Sequence, residues 1–187
     1  MTRQVFNFDA PDRFVVGTVG MPGERTFFLQ ARQRGQLTSV ALEKAQALAL
    51  AERIDQLLDE AQARDPEVPI PAEAGVSVSD VDPLDAPITE EFRVGAMALG
   101  WDEANLRVVI EAHAATDEPT EVPDIGDDSS EGPDTLRVWL EPAYARGFAD
   151  RARSVVSAGR PPCPFCSQPL DPTGHICPRA NGYRRRA

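Results

Sequence analysis

Phe14-Val15-Val16-Gly17-Thr18-Val19-Gly20-Met21-Pro22-Gly23-Glu24-Arg25-Thr26-Phe27-Phe28-Leu29-Gln30-Ala31 reads as a strand, a turn and a second strand. β-branched and aromatic residues fill both flanks and suit a pleated, half-buried surface. Pro22 and Gly23 stand where the central positions of a type II turn want them. The hairpin commits this part of the chain to antiparallel pairing. Gly17, Gly20 and Gly23 also invite a phosphate-loop reading. No helix opens directly after them, and the turn explains two of the three, so that reading is set aside.

Upstream, Val5, Phe6 and Phe8 lie among polar partners and predict a first strand, followed by the turn residues Asp9-Ala10-Pro11-Asp12. The three strands are expected to form an antiparallel meander. Downstream, Ala47, Leu50, Ala51, Ile54, Leu57, Leu58 and Ala61 recur at helical spacing. They predict a helix over residues 40–63, with Ser39 as its N-cap. Its apolar stripe belongs in a core.

The second half repeats the pattern. Residues 91–101 alternate with Phe92, Val94, Ala96 and Ala98 on one side, and 105–114 alternate through Leu106, Val108 and Ile110. Leu136 to Leu140 reads as a further strand. A helix starts at Pro142, a good first helical residue, and stops at Gly159, with Ala145, Phe148, Ala149, Ala152, Val155 and Val156 on its apolar face. Two stretches interrupt this order. Residues 65–88 carry Pro66, Pro69, Pro71, Pro83 and Pro87, and 116–134 carry acids and no base. Both read as mobile loops, because such segments bury little to offset their ordering entropy. The expectation is an α+β body over residues 1–159, made of two βββα units that form a mainly antiparallel sheet backed by two helices.

The remaining residues, 160–187, hold the sharpest chemistry. Cys163, Cys166, His175 and Cys177 form the pattern C-x2-C-x8-H-x-C and include all three cysteines of the chain. Three thiolates and an imidazole are the ligand set of a closed tetrahedral Zn²⁺ site, structural rather than catalytic. Between the two pairs, Ser-Gln-Pro-Leu-Asp-Pro-Thr-Gly is rich in turn formers and reverses the chain. The other readings are a redox Cys-x-x-Cys, unconnected thiols and an iron–sulfur cluster. The first lacks its βαβ context and the last seldom takes a histidine ligand.

The chain has 187 residues, enough for about one domain plus appendages. It has no secretory pattern and no apolar run long enough to span a membrane, so a soluble, cytoplasmic protein is expected. A formal charge of −11 argues against nucleic acid or an anionic membrane meeting the whole surface. The tail departs from this balance: Arg160, Arg179, Arg184, Arg185 and Arg186 face only Asp171. A protein partner is the expected contact of this tail, and nucleic acid is the alternative.

Two other groupings bear on chemistry. His113 and Glu111 share a strand face and could be a base and its orienter, although an exposed strand pair is the simpler account. Arg13, Arg25, Arg93 and Arg137 lie at or near strands and would line an anion site if they shared a face, which leaves an enzyme with an arginine-lined site on the sheet as a further alternative to a non-enzymatic protein.

Arg3-Gln-Val-Phe-Asn-Phe-Asp, Arg13-Phe-Val-Val-Gly-Thr-Val-Gly, Glu24-Arg-Thr-Phe-Phe-Leu-Gln-Ala, Val40-Ala-Leu-Glu-Lys and the ending Gly159-Arg-Pro-Pro-Cys-Pro-Phe-Cys through His175-Ile-Cys-Pro-Arg-Ala-Asn-Gly-Tyr carry a resemblance. Together they resemble the actinobacterial family called domain of unknown function 3090, over nearly the whole chain outside the two acidic loops. That family often places glycine after the second cysteine, where this chain has Ser167. The resemblance implies no assigned activity and hints at an accessory role.

Overall fold

A computed structural model describes residues 2–21, 23–75, 79–117, 122–159, 163–168, 170, 176, 177 and 179. Among them are strands β1 (Val5–Phe8), β2 (Arg13–Val19), β3 (Thr26–Gln33), β4 (Gln36–Leu42), β5 (Glu90–Asp102), β6 (Arg107–Ala114) and β7 (Thr135–Leu140). Helix α1 (Lys44–Arg64) follows β4, and α2 (Pro142–Ser157) follows β7. The strands form one seven-stranded sheet in the order β1-β7-β6-β5-β4-β3-β2. Pairing is antiparallel within β2-β3-β4 and within β5-β6-β7, and parallel where β4 meets β5 and β1 meets β7.

The fold is α+β with a mainly antiparallel sheet and two helices, as expected. The two βββα units are present, but the first is β2-β3-β4-α1, one strand later than the sequence suggested. The additional strand is β4, whose last residues, Val40, Ala41 and Leu42, belong to the sheet and not to the start of the helix. Arg34 and Gly35 both have positive φ, 49° and 86°, and make the tight reversal that pairs Gln33 with Gln36. The pairing then runs without a break to Leu42, opposite Phe27. Helix α1 starts only after Glu43, whose backbone N–H donates to the Gln46 side chain at 2.8 Å.

The expected meander of β1, β2 and β3 is corrected too. Strand β1 lies at the far edge of the sheet, parallel to β7, with Phe6 opposite Leu136 and Phe8 opposite Val138. Residues 9–12 are therefore no hairpin turn. They cross from one sheet edge to the other, held by Arg107, which donates to the Asp9 carbonyl at 2.7 Å, and by the Asp12 N–H on the Arg32 carbonyl at 2.8 Å.

The concave face holds the core. Phe14, Val16, Leu29, Val40, Leu42, Ile110, Leu136, Val138 and Leu140 meet Leu50, Ile54 and Leu58 of α1 and Phe148 and Ala152 of α2 in one buried cluster. Phe14 stacks on Phe148 with ring centroids 4.7 Å apart. Arg146 of α2 reaches Asp55 at 2.6 Å and also Asp59, which locks the helices to each other. In β5 a register irregularity between Val94 and Ala96 changes the facing of the strand. Phe92 and Val94 point into the core and Met97, Leu99 and Trp101 then follow them, whereas Ala96 and Ala98 turn to the outer face, against the simple alternation read from sequence.

The outer face is covered by the two acidic segments. Leu84 sits over Gly17, where a Cβ would come within 2.5 Å of it, and Ile125 sits over Gly100, where the distance would be 2.9 Å. Each glycine is the notch that lets its segment lie close to the sheet. The acids of both segments find arginines. Asp80 and Asp85 pair with Arg13, Asp127 with Arg3, and Asp128 with Arg137. Composition alone does not suggest this burial, because Arg13 lies 67 positions from Asp80 and Arg3 lies 124 from Asp127.

Ile54 is fully buried at the middle of α1's inward stripe. Replacing it with Ala is expected to lower unfolding free energy by about 2–5 kcal/mol. Urea denaturation of the two proteins measures this, and a loss under about 0.5 kcal/mol, the size of a surface effect, would contradict the packing.

Candidate metal centre

Cys163 through Gln168 form a tight knuckle. The Cys163 N–H donates to the Gln168 carbonyl at 2.7 Å, and the Ser167 N–H donates to the Cys163 carbonyl at 2.8 Å. Closing so short a loop requires a left-handed residue, and Ser167 has φ 61°. Glycine would adopt this conformation without the Cβ penalty that Ser167 bears.

The knuckle directs Cys163 and Cys166 toward Cys177, and the three sulfurs lie within 4.8 Å of one another. Cys163 Sγ and Cys177 Sγ are 3.7 Å apart, both in buried residues. A disulfide needs about 2.05 Å. Two thiolates on one tetrahedral Zn²⁺, each about 2.3 Å from the ion, stand about 3.8 Å apart. The donor set therefore fits a metal ion. Burial works against the Cys163 thiolate, but the N–H groups of Cys166 and Phe165 and the neighbouring thiols outweigh it and hold its pKa below the ordinary value. Three of the four predicted ligands are thus brought together. The fourth, His175, lies outside the described residues, as do Arg184, Arg185 and Arg186.

The other candidates fall out differently. Arg13, Arg25, Arg93 and Arg137 do not converge: Arg25 donates to the Ala158 carbonyl, Arg93 pairs with Glu43, Arg137 with Glu111 and Arg13 with Asp80. Glu111 and His113 are not an exposed pair. Their relative exposures are 0% and 1%, because residues 122–134 close over that face. The Gly126 N–H and Arg137 take one carboxylate oxygen of Glu111, while the other faces His113 Nε2 at 3.5 Å. His113 Nδ1 meets the Thr135 hydroxyl at 3.0 Å. Carboxylate, imidazole and hydroxyl stand in line, but Thr135 is fully buried and no substrate reaches it. The group is a buried polar tie between strands.

Burial, ahead of the attraction of Glu111, holds the His113 pKa below its ordinary 6.5. The unfolded chain then takes up a proton that the folded chain refuses. Stability contributed by neutral His113 is present above about pH 6.5 and lost progressively below it. Thermal scans from pH 7.5 to 5.5 are expected to show a steeper fall for wild type than for His113→Gln. Parallel curves would mean that the folded protein accepts the proton as readily as the unfolded one.

No helix among the described residues is long and apolar enough to cross a membrane. No curated protein and no solved structure matches the chain. The family model described as "Protein of unknown function (DUF3090)" matches residues 6–177. That span takes in the sheet, both helices and the cysteine cluster, so the chain belongs to the DUF3090 family.

Proposed function

We propose that this chain is a zinc-binding accessory protein. Cys163, Cys166 and Cys177, with His175 as fourth ligand, hold one structural Zn²⁺. The observation that carries this reading is the 3.7 Å sulfur separation, the edge of a zinc–thiolate tetrahedron and far from a disulfide. Four protein ligands leave no open position, so the ion contributes folding energy to residues 160–187 rather than catalysis. In this reading residues 1–159 are the scaffold, and the stapled segment displays its arginines to an acidic protein partner in the cytoplasm. Two apolar side chains at the cluster support such a contact: Phe165 is 61% exposed and Ile176 is 82% exposed.

Elemental analysis of reduced protein, purified without a metal-chelating column, is expected to give about one zinc per chain. Cys166→Ser is expected to lose the ion and leave the circular dichroism of the α+β body intact, while Ser167→Gly keeps the ion. Iron, or no metal, would overturn the reading. Replacing Arg184, Arg185 and Arg186 with Ser is expected to weaken capture of an acidic partner at low salt with zinc content unchanged. Recovery of nucleic acid in place of protein would favour the alternative partner.

A further inference from the structure

A cleft opens where α2 runs beside the free edge of β2. One cavity of about 360 Å³ is lined by Arg13, Arg32, Asp80, Tyr144, Phe148 and Arg151, among others. A second, of about 500 Å³, shares residues 79–81, Gly147 and Arg151 with it and continues along α2. Small-molecule sites have volumes of about 300–1,000 Å³.

The charge arrangement in the cleft is unusual. The side chains of Arg13 and Arg151 are only 9% and 8% exposed, and both close on one carboxylate. Arg13 grips Asp80 through Nε at 2.6 Å and through its NH2 nitrogen at 2.9 Å. Arg151 donates to the same carboxylate at 2.6 Å, and its Nε takes the free Val16 carbonyl of edge strand β2. Arg13 also meets Asp85 at 3.3 Å, and Asp85 is shared with Arg32, so three guanidiniums draw on two carboxylates and the ion-paired cluster falls one anion short of balance. Burial, ahead of Asp80, leaves the Arg151 pKa below its ordinary value. Asp80 belongs neither to the sheet nor to a helix. It comes from the segment between α1 and β5, where the next residue, Val81, is 88% exposed. Arg32 stands at the cavity rim, paired with Asp85 at 2.8 Å, and the stacked rings of Phe14 and Phe148 give an apolar wall.

We infer that this cleft is a binding site for a small molecule carrying an oxyanion, phosphate or carboxylate, whose anionic group takes the place of Asp80 on Arg13 and Arg151. Asp80 is a resident surrogate, and displacing it frees two preorganised forks matched to an oxyanion. The ligand's body extends along α2 into the adjoining cavity. Asp150 and Ser154 line that cavity and accept from hydroxyl or amine groups of the ligand. The inference uses none of the metal ligands and stands apart from the zinc reading.

Inorganic phosphate is the probe, titrated into the full-length ¹⁵N-labelled protein against sodium chloride of equal ionic strength. Saturable shifts of the Arg13 and Arg151 Nε–H signals are expected. In Asp80→Asn the internal competitor loses its charge, and the phosphate Kd is expected to fall at least about tenfold, the scale of one charge-assisted hydrogen bond. Phosphate at about ten times that Kd is expected to raise the variant's Tm by about 3–6 °C. The inference is overturned if chloride reproduces the shifts, or if the response survives Arg13→Gln and Arg151→Gln in the Asp80→Asn background. Should Asp80→Asn fail to fold, the wild-type titration decides, and the absence of saturable shifts overturns the inference. Unchanged zinc content across these variants keeps this outcome separate from the fate of the metal centre.

Discussion

The curvature of the sheet follows from one short piece of chain. Strands β1 and β2 occupy opposite edges of seven strands, yet only residues 9–12 join them. A flat sheet of this size would hold its edges about 29 Å apart at about 4.8 Å per strand. The five steps from Phe8 to Arg13 can reach only about 18 Å. The sheet must therefore curl until its edges approach, and β1 does come close to β3 across the gap. Curling creates the concavity that α1 and α2 fill. It also leaves a convex outer face whose buried polar residues need a cover.

That cover is electrostatic as much as apolar. Lys44 is the single lysine among 19 basic residues, so nearly every cation is a guanidinium with a planar fork of donors. Arg3, Arg13, Arg137 and Arg146 lie buried and reach acids in distant segments. Each tie puts a charge where solvent is scarce, which costs desolvation and is repaid only by close geometry. Loss of one partner is consequently worse than loss of both. The acidic segments, polar by composition, lie against the sheet because their carboxylates complete these pairs.

The local features of the fold were legible in the sequence, and the non-local ones were not. The stripe from Ala47 to Ala61 and the stops around α2 are helical-period and capping signals contained within one element. Strand β4 escaped notice because Arg34-Gly35 is a less familiar reversal than Asn-Gly, and because Val40-Ala41-Leu42 suits either a strand or a helix start. The facing of β5 could not be read past the irregularity at Val94, which depends on how β6 pairs with it. Cys163 and Cys166 announce their chemistry through a spacing of three. The pairing of Arg13 with Asp80 joins residues 67 positions apart and carries no local signature.

The seat of β1 has a consequence for how the protein is made. The Gln4 N–H bonds the Asp134 carboxylate, 130 positions later in the chain. A ribosome adding about 5–20 residues per second leaves the first strand waiting roughly 7–25 seconds for its partner. Throughout that interval Phe6 and Phe8 belong to a strand with no neighbour on either side. Nascent chains translated side by side on one message would offer each other the missing β7, so this late seam is also a place for two molecules to exchange their first strands.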